Sequence, residues 1–154
     1  MVVETIILGV IANVTTQVFG KGYEVFSRAI QRDRELIQLI DSFIKDGNLK
    51  EYGETAKIEA FIRSPEVENV VGQIFSAEVI GKSREKNVEM IKLEFKSLFK
   101  LHVGSDSTLE KISDVIFEAL INITVKIYYE KIKSGSIYYH EKLDQIRHQI
   151  LVIP

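Results

Sequence analysis

The sequence predicts an all-α fold, a single bundle of about six or seven helices with one buried central helix. Apolar residues recur every three or four positions along nearly all of the 154 residues, which is the period of an amphipathic helix. The chain has only two prolines, one of them the last residue, so long stretches lack the residue that breaks helices. Hydrophobic residues make up 45% and charged residues 27%, proportions typical of a globular chain with one core.

Two helices are predicted in the first third of the chain. The first runs from about Val2 to about Arg32, with a disturbance at Gly20-Lys21-Gly22. Asp33 is placed to cap the second helix, which Gly47 closes. The apolar stripes of these two helices comprise Val3, Ile7, Val10, Val14, Val18, Tyr23, Phe26 and Ile30, and then Leu36, Ile37, Ile40, Phe43 and Ile44.

The middle of the chain carries a clear helix start. After a loop at 47–53 comes a short helix with Ile58, Phe61 and Ile62 on its inner face. Ser64-Pro65-Glu66 then combines a hydroxyl cap, a proline in the first turn and an acid at the positive helix end. The helix that it opens extends to a break at Gly81-Lys82-Ser83.

The last third contains the predicted central helix. A helix from about Arg84 precedes Ser107-Thr108-Leu109-Glu110, which has capping-box spacing and opens a helix to about Lys133. That helix is apolar on most sides and should therefore lie at the centre of the bundle. A final helix is predicted from about Ser136, with Tyr139, Leu143, Ile146 and Ile150 as its apolar stripe.

Composition narrows the function classes. A net charge of −2 and a pI near 6.0 give no reason to expect a nucleic-acid partner, and the absence of cysteine excludes thiolate chemistry. The apolar segment Val2–Phe19 carries Glu4 where a signal peptide has positive charge, and polar residues from Asn13 onward interrupt it. We therefore expect a cytoplasmic protein without a cofactor, and neither a signal peptide nor a constitutive membrane span.

One fragment imitates a nucleotide-binding loop. The stretch from Ser76 to Gly81-Lys82-Ser83 differs from G-x-x-x-x-G-K-[ST] by one residue. That loop needs its first glycine and must join a strand to a helix, so that backbone N–H groups can surround phosphate. Here the first glycine is replaced by Ser76, Glu78 adds negative charge, and the preceding segment is predicted helical. A turn between two helices is the better interpretation.

A second fragment resembles a zinc-protease motif. His140, Asp144 and His148 are spaced at i, i+4 and i+8 and share one helical face, with Glu141 beside them as a candidate base. The simpler interpretation is a solvated surface face with paired charges. No catalytic residue is therefore predicted, and these three remain weak candidates for metal ligands.

Two adjacent tyrosine pairs, Tyr128-Tyr129 and Tyr138-Tyr139, flank the predicted turn at Ser134-Gly135-Ser136. Stacking on nucleic acid would require a basic groove around them, and Glu130 and Glu141 dilute the neighbouring lysines. Packing between two antiparallel helices suits amphipathic tyrosine better.

A family resemblance adds context. The block Phe61–Phe75, which reads F-I-R-S-P-E-V-E-N-V-V-G-Q-I-F, is similar to one in the N-terminal helical domains of bacterial, often cyanobacterial, NACHT-type STAND NTPases. The resemblance extends to about Leu151, but Gly72 stands where the family usually has a bulkier residue, and Tyr138-Tyr139 replace small residues. The further similar pieces are Leu93-Glu94-Phe95, Gly135–Glu141 and Arg147–Ile150.

The resemblance implies that residues 1–154 are one N-terminal module cut from a larger antiphage defence protein. In such proteins a downstream NACHT domain oligomerises when a sensor detects a threat, so the expected partners are that domain and further copies of the chain. The family block supplies no catalytic residue.

The sequence leaves two main functions open. The first is a membrane-perturbing cell-death effector, similar in outline to HeLo-like and Bell domains, in which Val2–Phe19 leaves the bundle and inserts when copies cluster. Its candidate insertion residues are Ile7, Val10, Val14 and Val18. The second is a non-enzymatic oligomerisation, adaptor or autoinhibitory bundle, in which the same helix is simply core. An enzyme is the third alternative and depends only on the His140 cluster.

Overall fold

A computed structural model describes residues 2–20, 23–49 and 55–133. Within these ranges the chain is all-α, as predicted, and contains no strand. Seven α-helices are followed by a π-helical segment, Tyr128–Lys133, that continues the last of them. The α-helices are α1 (Val2–Phe19), α2 (Glu24–Arg32), α3 (Arg34–Asp46), α4 (Thr55–Ile62), α5 (Pro65–Ile80), α6 (Arg84–His102) and α7 (Ser107–Ile127).

The predicted first helix is in fact two helices. The N–H of Gly20 donates a 2.8 Å hydrogen bond to the carbonyl of Thr16 and closes the last turn of α1. Gly20 has a φ of 92°, which side-chain-bearing residues rarely adopt, so the chain leaves the helix here and α2 begins at Glu24. The predicted helix is therefore divided at Gly20 into α1 and α2, and α2 packs back against α1.

The prediction for α3 is confirmed at both ends. The Asp33 side chain accepts a 3.2 Å hydrogen bond from the N–H of Leu36, and Gly47 is the C-cap. Gly47 also lies against α7, because a Cβ at this position would sit 2.5 Å from a methyl carbon of Val115. The glycine thus ends the helix and allows α3 to approach α7 closely.

Two predicted N-caps need correction. Pro65 begins α5 as expected, but the Ser64 hydroxyl donates to the carbonyl of Phe61 at 2.5 Å and does not cap the helix that follows. The N-cap of α7 is Asp106, one residue before the predicted capping box, and its side chain accepts from the N–H of Leu109 at 2.8 Å. A carboxylate is the stronger acceptor, and it takes the place assigned to Ser107.

Two helices share the interior of the bundle. The predicted central helix α7 is buried along most of its length and packs against α3, α5 and α6. The N-terminal helix α1 packs against α2, α3, α4, α5 and α7. Side chains with no measurable exposure in these two helices include Ile7, Leu8 and Ile11 of α1 and Ile116, Leu120 and Ile123 of α7.

Aromatic rings join α4 to α6 at the first residue of the family-like block. The Phe61 ring meets Phe99 edge-on at 5.5 Å between centroids and lies 5.6 Å from Phe95. The His102 ring stacks on Phe61 at 5.5 Å. Rings at these separations contribute beyond the area that they bury, so Phe61 anchors the short helix α4 in the core.

Candidate functional site

The four candidate insertion residues face the interior of the bundle. Ile7, Val10 and Val14 are buried, and Val18 is partly buried against the same core. Gly72 of α5 lies beside this stripe, since a Cβ there would be 4.0 Å from a methyl carbon of Val14. In this structure α1 therefore serves as a core helix, and insertion would require its release from five neighbouring helices.

Hydroxyl groups join α1 to α2. The Thr16 and Ser27 hydroxyl oxygens are 2.5 Å apart, and the Ser27 hydroxyl also lies 3.0 Å from the carbonyl of Ala12. Thr15 is fully buried and donates to the carbonyl of Ile11 at 2.7 Å. Buried polar groups are tolerated only when they are hydrogen-bonded, and these bonds satisfy Thr15 and Thr16, two of the polar residues that interrupt the apolar run.

The only charged residue of α1 is Glu4, and it is buried. Burial raises the pKa of Glu4 above its usual value, and a hydrogen bond with the Asp41 carboxyl of α3 raises it further. Two carboxyl groups can share a hydrogen bond only while one of them is protonated. Lys45 lies 3.1 Å from Asp41 and compensates part of the negative charge.

A buried carboxylate ties three segments together at one end of the bundle. Glu78, near the end of α5, has a side chain only 1% exposed. One of its oxygens accepts from the guanidinium of Arg84 at the start of α6, and the other accepts from the hydroxyl of Tyr129 at 2.9 Å. A buried charge is costly unless it is paired and hydrogen-bonded, and here both oxygens have a donor.

The same cluster holds the π-helical segment. The hydrogen bond to Glu78, together with burial, raises the pKa of Tyr129 above its usual value. The Lys133 ammonium lies 5.0 Å above the centre of the Tyr129 ring, within cation–π range. We define Glu78, Arg84 and Tyr129 as the Glu78 cluster. Both carboxylate oxygens of Glu78 already accept hydrogen bonds. The cluster therefore has a structural role, which is to hold α5, α6 and the π-helical segment together.

Two ion pairs fasten the start of α3 to the C-terminal part of the described chain. Lys131 pairs with Asp33 at 2.5 Å, and Lys126 pairs with Glu35 at 2.6 Å. Burial alone would raise the pKa of Asp33, but hydrogen bonds from Lys131 and from the N–H of Leu36 outweigh it and lower that pKa. Asp33 therefore acts both as a helix cap and as a tether for the π-helical segment.

The fragment that imitates a nucleotide-binding loop is a turn between helices, as predicted. Ser76 to Ile80 belong to α5, Gly81 is its left-handed C-cap with a φ of 74°, and α6 begins at Arg84. No strand precedes the glycine, because α5 is helical from Pro65 onward. The carboxylate of Glu78, which lies inside this fragment, accepts hydrogen bonds from Arg84 and Tyr129.

The weak metal candidates His140, Asp144 and His148 lie outside the described residues, as do Tyr138, Tyr139 and the predicted last helix. In the parts of the chain that the structure describes, no three His, Cys, Asp or Glu side chains are grouped so as to hold a metal ion. Over the same ranges, no helix has both the length and the apolar character needed to traverse a bilayer.

Sequence reasoning missed the Glu78 cluster and the pair of Glu4 with Asp41. In each case the signal was one acid among apolar residues, with Val2-Val3 before Glu4 and Ile6-Ile7-Leu8 shortly after it, and with Val79-Ile80 after Glu78. An acid in such a place needs a partner if the run is buried.

Comparison of the chain with protein-family models, with curated proteins and with solved structures found no match.

Proposed function

We propose that this chain is a non-enzymatic oligomerisation or adaptor bundle that serves as the N-terminal regulatory module of a bacterial NACHT-type STAND NTPase in antiviral defence. The burial of α1 carries the proposal. The residues that would enter a membrane are the residues that hold the bundle together, so retaining α1 keeps the fold intact. An intact bundle can act by presenting its outer surface to another protein, and this is the activity that we propose.

The family resemblance supports the context of this proposal. Its main block, Phe61–Phe75, forms the end of α4 and most of α5, and the apolar residues of the block are buried. The block therefore specifies a core and leaves the outer surface of the bundle free to differ between proteins. In the proposed setting a downstream nucleotide-binding domain assembles copies of the chain, and clustering multiplies weak contacts between bundles.

A second candidate is the membrane-perturbing effector. The observation that favours it is the composition of α1, in which Glu4 is the only charged residue. Under this alternative, clustering releases α1 and its apolar stripe enters the interfacial region of the bilayer.

An engineered disulfide separates the two candidates. The chain has no cysteine, so Val14→Cys with Gly72→Cys would introduce a single pair joining α1 to α5. A Cβ at residue 72 would lie 4.0 Å from a methyl carbon of Val14, close enough to design a disulfide. The purified chain would be clustered on anionic liposomes filled with a dye, in oxidising and in reducing buffer. Val14→Cys alone is the control for the substitution, and circular dichroism checks that each variant is folded.

The adaptor proposal predicts no dye release in either buffer. Release by the reduced protein that the oxidised protein lacks would assign membrane activity to the freed α1 and reject the proposal. Release in both buffers would reject it as well, and would place the membrane activity outside α1.

The NTPase context has its own test. The complete gene product should contain, beyond Pro154, a strand followed by a glycine-rich loop with Lys-Ser or Lys-Thr. A gene product without such a loop would contradict the proposed module, whatever the liposome result.

A further inference from the structure

The segment Tyr128–Lys133, which continues α7, is a π-helix. In a π-helix the N–H groups pair with carbonyls five residues earlier, one more than in an α-helix, so that the turn holds an extra residue. Such turns are rare and often mark functional sites. The residue types do not impose one here, because the segment contains neither proline nor glycine and is compatible with an ordinary α-helix.

The π turn keeps two lysines on the same side of the helix. Lys126 pairs with Glu35 in the first turn of α3. Lys131 pairs with Asp33, the N-cap of the same helix. Residues five apart in an α-helix point about 140° away from each other, at roughly 100° per residue. In the π register the same spacing is close to one turn, so both lysines reach the start of α3.

The π turn also keeps the buried stripe of α7 in the core. Ile123 and Ile127 have no measurable exposure, and Ile132, five residues after Ile127, is 1% exposed. A continued α-helix would place Glu130 or Lys131 next on this side, and burying a charged side chain is costly. The segment can therefore pack against the bundle only in the π register, and the spacing of five has a meaning only because of these contacts.

Two contacts with other helices favour this rare register over the α-helix. Tyr129 donates a 2.9 Å hydrogen bond to Glu78 of α5. Lys131 lies 2.5 Å from the carboxylate of Asp33 at the start of α3. Both contacts would be lost if the segment left the bundle, so packing against the bundle and the π register depend on each other.

We propose that Tyr128–Lys133 is a conformational switch with two states, a docked π-helix and an undocked α-helix. Undocking removes the contacts that favour the π register, and the segment then relaxes to the α-helix with which its residues are compatible. The change turns the chain beyond Lys133 about the axis of α7 by roughly 100°, the angle of the one extra residue. Docking and the direction of the following chain are thus coupled.

The switch gives the bundle a way to signal through the chain that follows Lys133. A partner that binds one of the two states better shifts the balance by its difference in affinity for them. The inference goes beyond the proposed function, because it requires neither a nucleotide-binding domain nor a second copy of the chain.

Nuclear magnetic resonance tests the register directly, since scalar couplings across hydrogen bonds show which carbonyl each N–H is bonded to. In the wild-type chain the N–H of Ile132 should couple to the carbonyl of Ile127. Asp33→Asn with Tyr129→Phe removes the ion pair and the hydrogen bond that fasten the segment, while asparagine can still cap α3. In this double variant the coupling should move to the carbonyl of Tyr128, four residues before Ile132.

Two further variants complete the design. Lys96→Gln breaks an ion pair between α6 and α7 without touching the segment, and as the matched control it should keep the wild-type coupling. Deletion of the exposed Glu130 places Ile132 four residues after Ile127, so that an α-helix can dock. The Ile132 amide should then exchange with solvent roughly tenfold more slowly than in the wild type, because docking no longer competes with the α register.

An N–H of Ile132 bonded to Tyr128 in the wild-type chain would overturn the proposal, and this measurement stands even if a variant does not fold. So would a double variant that keeps the bond to Ile127, or one in which Ile132 bonds to neither carbonyl, since the segment would then fray without changing register. A deletion variant whose Ile132 amide exchanges as fast as in the wild type would contradict the coupling between docking and register.

Circular dichroism shows whether each variant is folded. None of these results bears on the burial of α1 or on the gene beyond Pro154, so failure of the switch differs from failure of the proposed function.

Discussion

The hydroxyl of Tyr129 donates a 2.9 Å hydrogen bond to Glu78, a carboxylate 51 residues earlier in the chain and almost completely removed from solvent. This bond attaches the π-helical segment to α5, while Arg84 attaches the start of α6 to the same carboxylate. The site is thus a junction of three helical segments, and its contribution to stability can be measured one donor at a time.

Tyr129→Phe should lower the free energy of unfolding by about 1 kcal/mol, because it removes one hydrogen bond and leaves Glu78 paired with Arg84. The pKa of Tyr129 is raised in the folded chain. The associated stability is therefore complete below the unfolded pKa, near 10, and is lost as the pH rises through the folded pKa.

Urea melts at neutral and at alkaline pH measure both effects. The difference in stability between wild type and Tyr129→Phe should shrink as the pH rises past 10. A constant difference at all pH values would show that the hydroxyl does not bond to the carboxylate.

Glu4→Gln should raise the melting temperature at neutral pH. The pKa of Glu4 is raised above 4.5 by burial and by Asp41, so its stability contribution is complete below the unfolded pKa and is lost as the pH rises through the folded pKa. Glutamine is neutral at every pH and can still donate to Asp41. The advantage of the variant should therefore be present at neutral pH and disappear in acid.

Thermal melts between acid and neutral pH measure this difference. Glu24→Gln is the matched control, since Glu24 stands in the first turn of α2 and is exposed. It should show no comparable gain, and an equal gain in both variants would attribute the effect to net charge instead of the buried pair.

Asp106→Ala should cost about 1 kcal/mol, within the range of roughly 0.5–2 for loss of an N-cap. Ser107→Ala should cost almost nothing, because the structure assigns the capping hydrogen bond to the Asp106 side chain. Equilibrium urea unfolding of the two variants compares them directly. If Ser107→Ala lost more free energy of unfolding than Asp106→Ala, the result would instead support the capping box expected from the sequence.

Ile116→Ala in α7 and Ile11→Ala in α1 should each cost about 2–5 kcal/mol, the range for truncating a large buried side chain. Both side chains have no measurable exposure. Urea unfolding measures the two losses, and Val25→Ala is the exposed control. A small loss for Ile11→Ala beside a large one for Ile116→Ala would show that α1 is peripheral.

The helix boundaries were largely predictable because their signals are local. Asp33, Pro65 and Gly81 each act within one helical turn of their own position, so the residue types alone indicate where a helix begins or ends. One exception, the N-cap at Asp106, is also local, and arises because two neighbouring residues can both serve as N-caps.

The site could not be predicted, because its contacts are long-range. Glu78 meets Tyr129 across 51 residues, and Asp33 meets Lys131 across 98. Periodicity identifies the apolar stripe of α1 but does not show which helices cover it. The sequence of Val2–Phe19 therefore left two interpretations open, a core helix and an insertion helix. The π-helical segment has no sequence signal of its own and depends on packing at the end of α7.

The most direct test of α1 as a permanent core helix is native-state hydrogen exchange, followed at the backbone amides of α1 and α7. A core helix exchanges only when the whole bundle unfolds, whereas a releasable helix opens separately at lower free energy. The comparison can be made for the dispersed chain and for chains clustered on liposomes.

The opening free energies of Leu8 and Ile11 in α1 should equal those of Ile116 and Leu120 in α7, and both should equal the global free energy of unfolding, with or without clustering. Amides of α1 that exchange through a smaller opening while α7 remains protected, above all in clustered chains, would contradict the core role of α1 and favour its release.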